Sequence, residues 1–186
     1  MAQARIVRLT AIALVVVLMS CGLISSNAQA ADGMKMSGWL PYWLMNTSTT
    51  SAVDNADLFT DVSPFWSDAQ VDNSLASTVA VTNTWMSWGT RSGVRDALQQ
   101  KGIKVLPSIT DGTATGHLSG VMKDATKRGA FVNQISNAVT SGGYDGIDLD
   151  FEKFAFNDGQ SSWATTKPAW VTFISELGTA LHANGK

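Results

Sequence analysis

Cysteine is almost missing from this chain. Its 186 residues include one, Cys21, so no internal disulfide can hold the fold together. Charge is sparse as well. Charged residues make up 15%, with 13 basic against 15 acidic. There is no basic excess, and with it goes the electrostatic footprint of a nucleic-acid binder. Histidine occurs twice, at His117 and His182, with no partner cluster around either, so neither points to a bound metal, and no cofactor is expected. No serine stands in a nucleophile motif. What remains is 45% hydrophobic, which excludes a disordered polyelectrolyte.

The chain opens MAQARIVR, with Arg5 and Arg8 and no acid. The apolar run LTAIALVVVLM and the small-residue stretch ending Ala28-Gln29-Ala30 follow. This is the order of a secretory signal, cut after Ala30. The run is shorter than the roughly 20 residues of a membrane-spanning helix. An uncut anchor is the alternative. Leu18-Met19-Ser20-Cys21 also resembles a bacterial lipoprotein box, in which Cys21 would be acylated and tie the chain to a membrane. Release into the exterior is the favoured expectation. Residues 31–186 then form one domain, more acidic than the whole, without cysteine and with all seven tryptophans.

Along those residues strand and helix signals alternate. MKMSGWLPYW (34–43) reads as a strand with Pro41 near its end. Weak helical spacing follows at 46–59, then the strand-like FTDVSPFW (59–66). Residues 67–89 suit a short hairpin or an extended loop. RSGVRDALQQKG (91–102) has helical period and a closing Gly102. IKVLPSIT (103–110) is a strand, 115–143 is mostly helical up to Gly142-Gly143, and 145–151 is a strand again. The last helix spans 167–186, with Pro168 in its first turn. Four strand–helix pairs without a linker predict a parallel sheet covered by helices. An eight-fold barrel takes about 250 residues, so roughly half of one is present.

The fourth strand carries the chemistry. In YDGIDLDFEK (144–153), side chains of a strand alternate between faces. Asp148, Asp150 and Glu152 point one way, about 6.6 Å apart in succession. Ile147, Leu149 and Phe151 point the other way, under helices. Parallel strands are normally apolar on both faces, so three acids on one face need a polar site or shared protons. In barrels the C-terminal strand ends line the active site, and Glu152 lies at that end. A solvated acidic face and calcium binding are the plainer alternatives. The calcium-loop pattern fails, because Lys153 stands at its glycine position and Gly159 at its final glutamate.

The spacing Asp145-x-x-Asp148-x-Asp150-x-Glu152 resembles the signature of glycoside hydrolase family 18, the chitinase family. SGWLPYW, DVSPFW and GIKVLPSIT resemble that family's first three strands. The resemblance implies an α/β fold of the (β/α)8 TIM-barrel type, with the motif on the fourth strand and the first four βα units present. There are departures. Ser108-Ile109-Thr110-Asp111 replaces a usual Ser-x-Gly-Gly, and Trp39-Leu40 replaces paired tyrosines. The tyrosine that contacts the acetamido group and the tryptophan floor belong to the second half, and no residue here is assigned to either.

The implied reaction is hydrolysis of β-1,4 bonds in N-acetylglucosamine polymers: chitin, chitooligosaccharide or peptidoglycan. The substrate's own acetamido oxygen assists. Glu152 is the implied general acid and base, Asp150 orients the acetamido group, and Asp148 holds Asp150 and shares its proton. Crowded negative charge is expected to keep Glu152 protonated. Asp145 is expected to be structural. Trp66 and Tyr42 are candidate sugar contacts, with Trp43 a similar case and core packing the alternative. Asp111 is read as a turn residue. The alternative function is a truncated or silent carbohydrate-binding relative.

Overall fold

The computed structural model describes residues 36–71, 77–81 and 90–186. The expected leader and Cys21 lie outside the described residues, as do 72–76 and 82–89 of the ambiguous stretch.

Strand β1 (Ser37–Pro41) runs into a single turn of 3-10 helix at Tyr42–Leu44 and helix α1 (Met45–Asp54). Strand β2 (Asp61–Val71) is parallel to β1. It then folds back: β3 (Ser77–Val81) pairs antiparallel with Ser67–Val71. Of the two readings of 67–89, the hairpin holds for this part. Helix α2 (Arg91–Gln99) begins at Thr90, whose Oγ1 accepts from the Gly93 amide at 3.1 Å. It ends before Gly102, which takes a left-handed φ of 81°.

The third barrel strand is in two pieces, β4 (Lys104–Val105) and β5 (Ser108–Asp111), both parallel to β2. Pro107 lies between them and has no amide hydrogen for the ladder. The long helix expected at 115–143 is also two helices, α3 (His117–Lys123) and α4 (Ala125–Ser141). Asp124 breaks it. Its backbone is extended, and its Oδ1 accepts from the amides of Thr126 and Lys127 at 2.9 and 3.0 Å. A side chain that caps a helix so well competes with continuing the previous one.

The fourth strand, β6, is only Asp148–Asp150, parallel to β5. Its approach is already tied to the sheet, since the Asp145 amide donates to Val105 O at 3.0 Å. The short helix α5 (Lys153–Phe156) follows, and then α6 (Trp163–His182). Pro168 is inside α6 rather than in its first turn, because the helix starts at Trp163, upstream of the apolar spacing. The ring removes one backbone bond there.

Four parallel units in the order β1-β2-(β4, β5)-β6 form the first half of a (β/α)8 barrel, and the barrel is not closed. Helices pack on the outer side. Phe131 of α4 and Phe173 of α6 stack at 5.5 Å between centroids, and Phe151 joins them at 6.1 Å from Phe131. Ile147 and Leu149 pack against the same cluster. The predicted apolar face of the fourth strand thus anchors it. Arg128 and Glu176 link α4 to α6 through paired contacts at 2.8 and 2.9 Å.

Candidate active site

The strand register stacks the inner side chains in layers. One layer is Phe65–Ser108–Asp148 and the next is Asp68–Thr110–Asp150. The first holds Asp148. Its Oδ2 accepts from Ser108 Oγ at 2.6 Å and from the Trp39 indole Nε1 at 3.0 Å. Ser108 is fully buried, whereas Trp39 leaves 62% of its surface open and rests beside Phe65 at 6.0 Å. Two donors on one oxygen fix the carboxylate plane, and an indole can only donate.

Asp150 is half-buried one layer higher. Burial pushes its carboxyl above the usual aspartate range, and the charges of Glu152 and Asp148 push it the same way. A carboxyl so placed holds a proton more readily than a free one. It can exchange that proton with an acidic neighbour.

Glu152 is not on the strand. β6 ends at Asp150, and Glu152 has helical backbone angles as the residue that begins α5. The alternation from Asp148 to Asp150 holds, but the last acid leaves the sheet for the rim. It is exposed, and among the described residues its carboxyl has no hydrogen-bond donor. Lys153 beside it donates Nζ to the Thr113 carbonyl at 2.6 Å.

Asp145 stands apart. Its Oδ2 accepts from the Val105 amide at 2.9 Å and from Gln99 Nε2 at 2.8 Å. It bridges a buried strand and a helix. The left-handed Gly143 just before it turns the chain so tightly that a Cβ there would lie 2.9 Å from Arg95 Nη1.

The candidate sugar contacts divide. Trp66 is 2% exposed, in the core with Leu40, Val62 and Leu98, and the Arg91 guanidinium lies over its ring at 5.6 Å. The structure does not bring it to the acids. Tyr42 and Trp43 follow the C-terminal end of β1 and are exposed, with rings edge to face at 4.9 Å. Asp111 is buried and accepts from the Thr113 amide at 2.9 Å, as a turn residue does.

Two inner-face residues were not singled out for this site from sequence. Trp39 is one. The other is Asp68, which hydrogen-bonds Thr110 Oγ1. Simple alternation puts Asp68 on the face of Val62 and Trp66. A bulge between Phe65 and Ser67 shifts the register, so Trp66 and Ser67 are both buried outward and Asp68 turns inward. The carboxylate was visible in the sequence; the bulge was not.

An arc of parallel strands with acids at the end of the fourth is the framework of a (β/α)8 barrel domain. Residues 44–186 match the model of the glycosyl hydrolases family 18, and the chain belongs to that family. No curated protein matches it. Among solved structures it is similar to the Ostrinia furnacalis Group II chitinase catalytic domain 2, with a TM-score of 0.63 and 20% identity, covering 82% of this chain and 41% of that one. The C-terminal domain of a putative chitinase from Desulfitobacterium hafniense gives 0.60 at 18% identity, covering 82% and 44%. A Cycas revoluta GH18 chitinase in complex with (GlcNAc)3 gives 0.56 at 21%, covering 80% and 41%. The chain thus spans about two fifths of these relatives' length.

Proposed function

We propose that this chain carries the acid half of an exported glycosidase that cleaves β-1,4 bonds of N-acetylglucosamine polymers with retention. The single observation that carries the reading is the row Asp148, Asp150, Glu152 at the end of the fourth strand of a family 18 arc. In this reading the substrate's acetamido oxygen attacks its own anomeric carbon, so no protein nucleophile is needed. Glu152, exposed on the rim, gives its proton to the leaving oxygen and later takes one from water. Asp150 shares its readily held proton with Asp148 and accepts from the acetamido N–H, which steadies the positive charge growing there. Asp148 is held by Trp39 and Ser108 as the acceptor that positions Asp150.

The test is Glu152→Gln in the protein as the cell makes it, assayed on chitooligosaccharides. Turnover should fall by roughly 10²–10⁴-fold with binding retained. Undiminished turnover removes Glu152 from the role. Binding without turnover in the parent protein favours the silent carbohydrate-binding reading. Export is tested separately: N-terminal sequencing of the native protein should begin at residue 31.

A further inference from the structure

We propose that Asp68 is a specificity-determining residue, reading the sugar next to the one at Asp150 and favouring a cationic glucosamine unit there over an acetylated one. The same carboxylate disfavours a unit that carries a carboxylate of its own. This rests on the glycosidase reading above and narrows its substrate class.

The geometry has three parts. Asp68, Thr110 and Asp150 are register partners across three adjacent strands, so Asp68 lies in the same layer as Asp150. Two strand spacings separate their backbones, about 9.6 Å. Asp68 is therefore too far to act on the acetamido group held by Asp150, yet close enough to meet the neighbouring unit of one chain. Its backbone is held on both sides, by Thr110 in β5 and by Ala80 in β3. Only the bulge at Trp66 and Ser67 turns it inward.

The chemistry follows from its partners. Thr110 Oγ1 donates to Oδ1. Among the described residues, no donor meets Oδ2, which leaves an acceptor for a ligand. Asp148 and Glu152 add negative charge to the same inner face and rim. Lys153, the cation nearest Glu152 in sequence, donates to a backbone carbonyl. A face of this sign attracts an ammonium and opposes a carboxylate, and that repulsion is itself a source of specificity. The acetamido unit is still required at Asp150, so the fitting substrate is a partly deacetylated polymer.

The experiment compares kcat/KM of the parent protein and Asp68→Asn on fully acetylated, partly deacetylated and muramic-carboxylate-bearing oligosaccharides of one length. Asn keeps an oxygen for Thr110, and Asp68→Ser guards against misfolding of one variant. The parent should prefer the deacetylated chain. In both variants that preference should fall about tenfold or more, as for a lost hydrogen bond to a charged group. The carboxylate-bearing chain should gain relative to the acetylated one. Equal loss on all three substrates overturns the proposal and leaves the glycosidase reading standing. Binding of the same three chains to Glu152→Gln, with and without Asp68→Asn, gives a readout independent of turnover. An unchanged binding order overturns the proposal; absence of turnover and of binding for every chain overturns both readings.

Discussion

The indole N–H of Trp39, on the first strand, donates to Oδ2 of Asp148, on the fourth, at 3.0 Å. These strands are the two ends of the parallel arc and share no backbone hydrogen bond. The sheet therefore curls enough for its ends to meet across the inner face, and Asp148 is held by both the first and third strands. Trp39→Phe keeps the ring beside Phe65 and removes the donor. Turnover should fall about tenfold with KM little changed, as for loss of a bond to a charged group. Trp39→Tyr restores a donor and should recover part of the rate. Equal kcat in Trp39→Phe and the parent removes the indole from the mechanism.

Asp150 gives a pH prediction. An acid whose pKa is raised by folding binds its proton more tightly in the folded state. Its contribution to stability is present at low pH and is lost as pH rises from the ordinary aspartate value through the raised one. Asp150→Asn removes that loss while ending its chemistry. The variant should melt higher than the parent at neutral pH, by roughly 2–4 °C for each kcal/mol relieved, and the gap should close in acid. Thermal unfolding over a pH series checks this. A gap that widens in acid reverses the sign and rejects the assignment.

Asp145 should behave in the opposite way. Asp145→Ala leaves the fully buried Val105 amide without its side-chain acceptor, at a cost of about 1–3 kcal/mol. The melting temperature should drop, and Asp145→Asn, which keeps an oxygen, should drop less. Equal melting of Asp145→Ala and the parent dismisses the clasp.

Much of this was legible in the chain. Alternation put Ile147, Leu149 and Phe151 against the helices and Asp148 with Asp150 on the other face, and the structure places them so. The unreadable parts have common causes. Asp68 faces inward through a bulge, and a one-residue change of register leaves no mark in the hydrophobic pattern. Trp39 meets Asp148 through curvature of the whole sheet, which no local window contains. Glu152 leaves the strand because α5 begins at Lys153, while the apolar alternation runs on to Phe151. The break at Asp124 had a local signal, an aspartate before Ala-Thr-Lys, but the helical spacing on either side masked it.

The motif from Asp145 to Glu152 is graded. Asp145 is bound to backbone and a neighbouring helix and Asp148 to two side chains, whereas Asp150 is half-buried beside two other acids and Glu152 meets no donor among the described residues. Eight residues pass from masonry to moving part. Damage should change in kind along them. At the first acid it appears as a protein that melts early. At the last it appears as a protein that melts normally and does nothing. One short scan of substitutions, read for melting and turnover together, should trace the boundary between scaffold and chemistry at single-residue spacing.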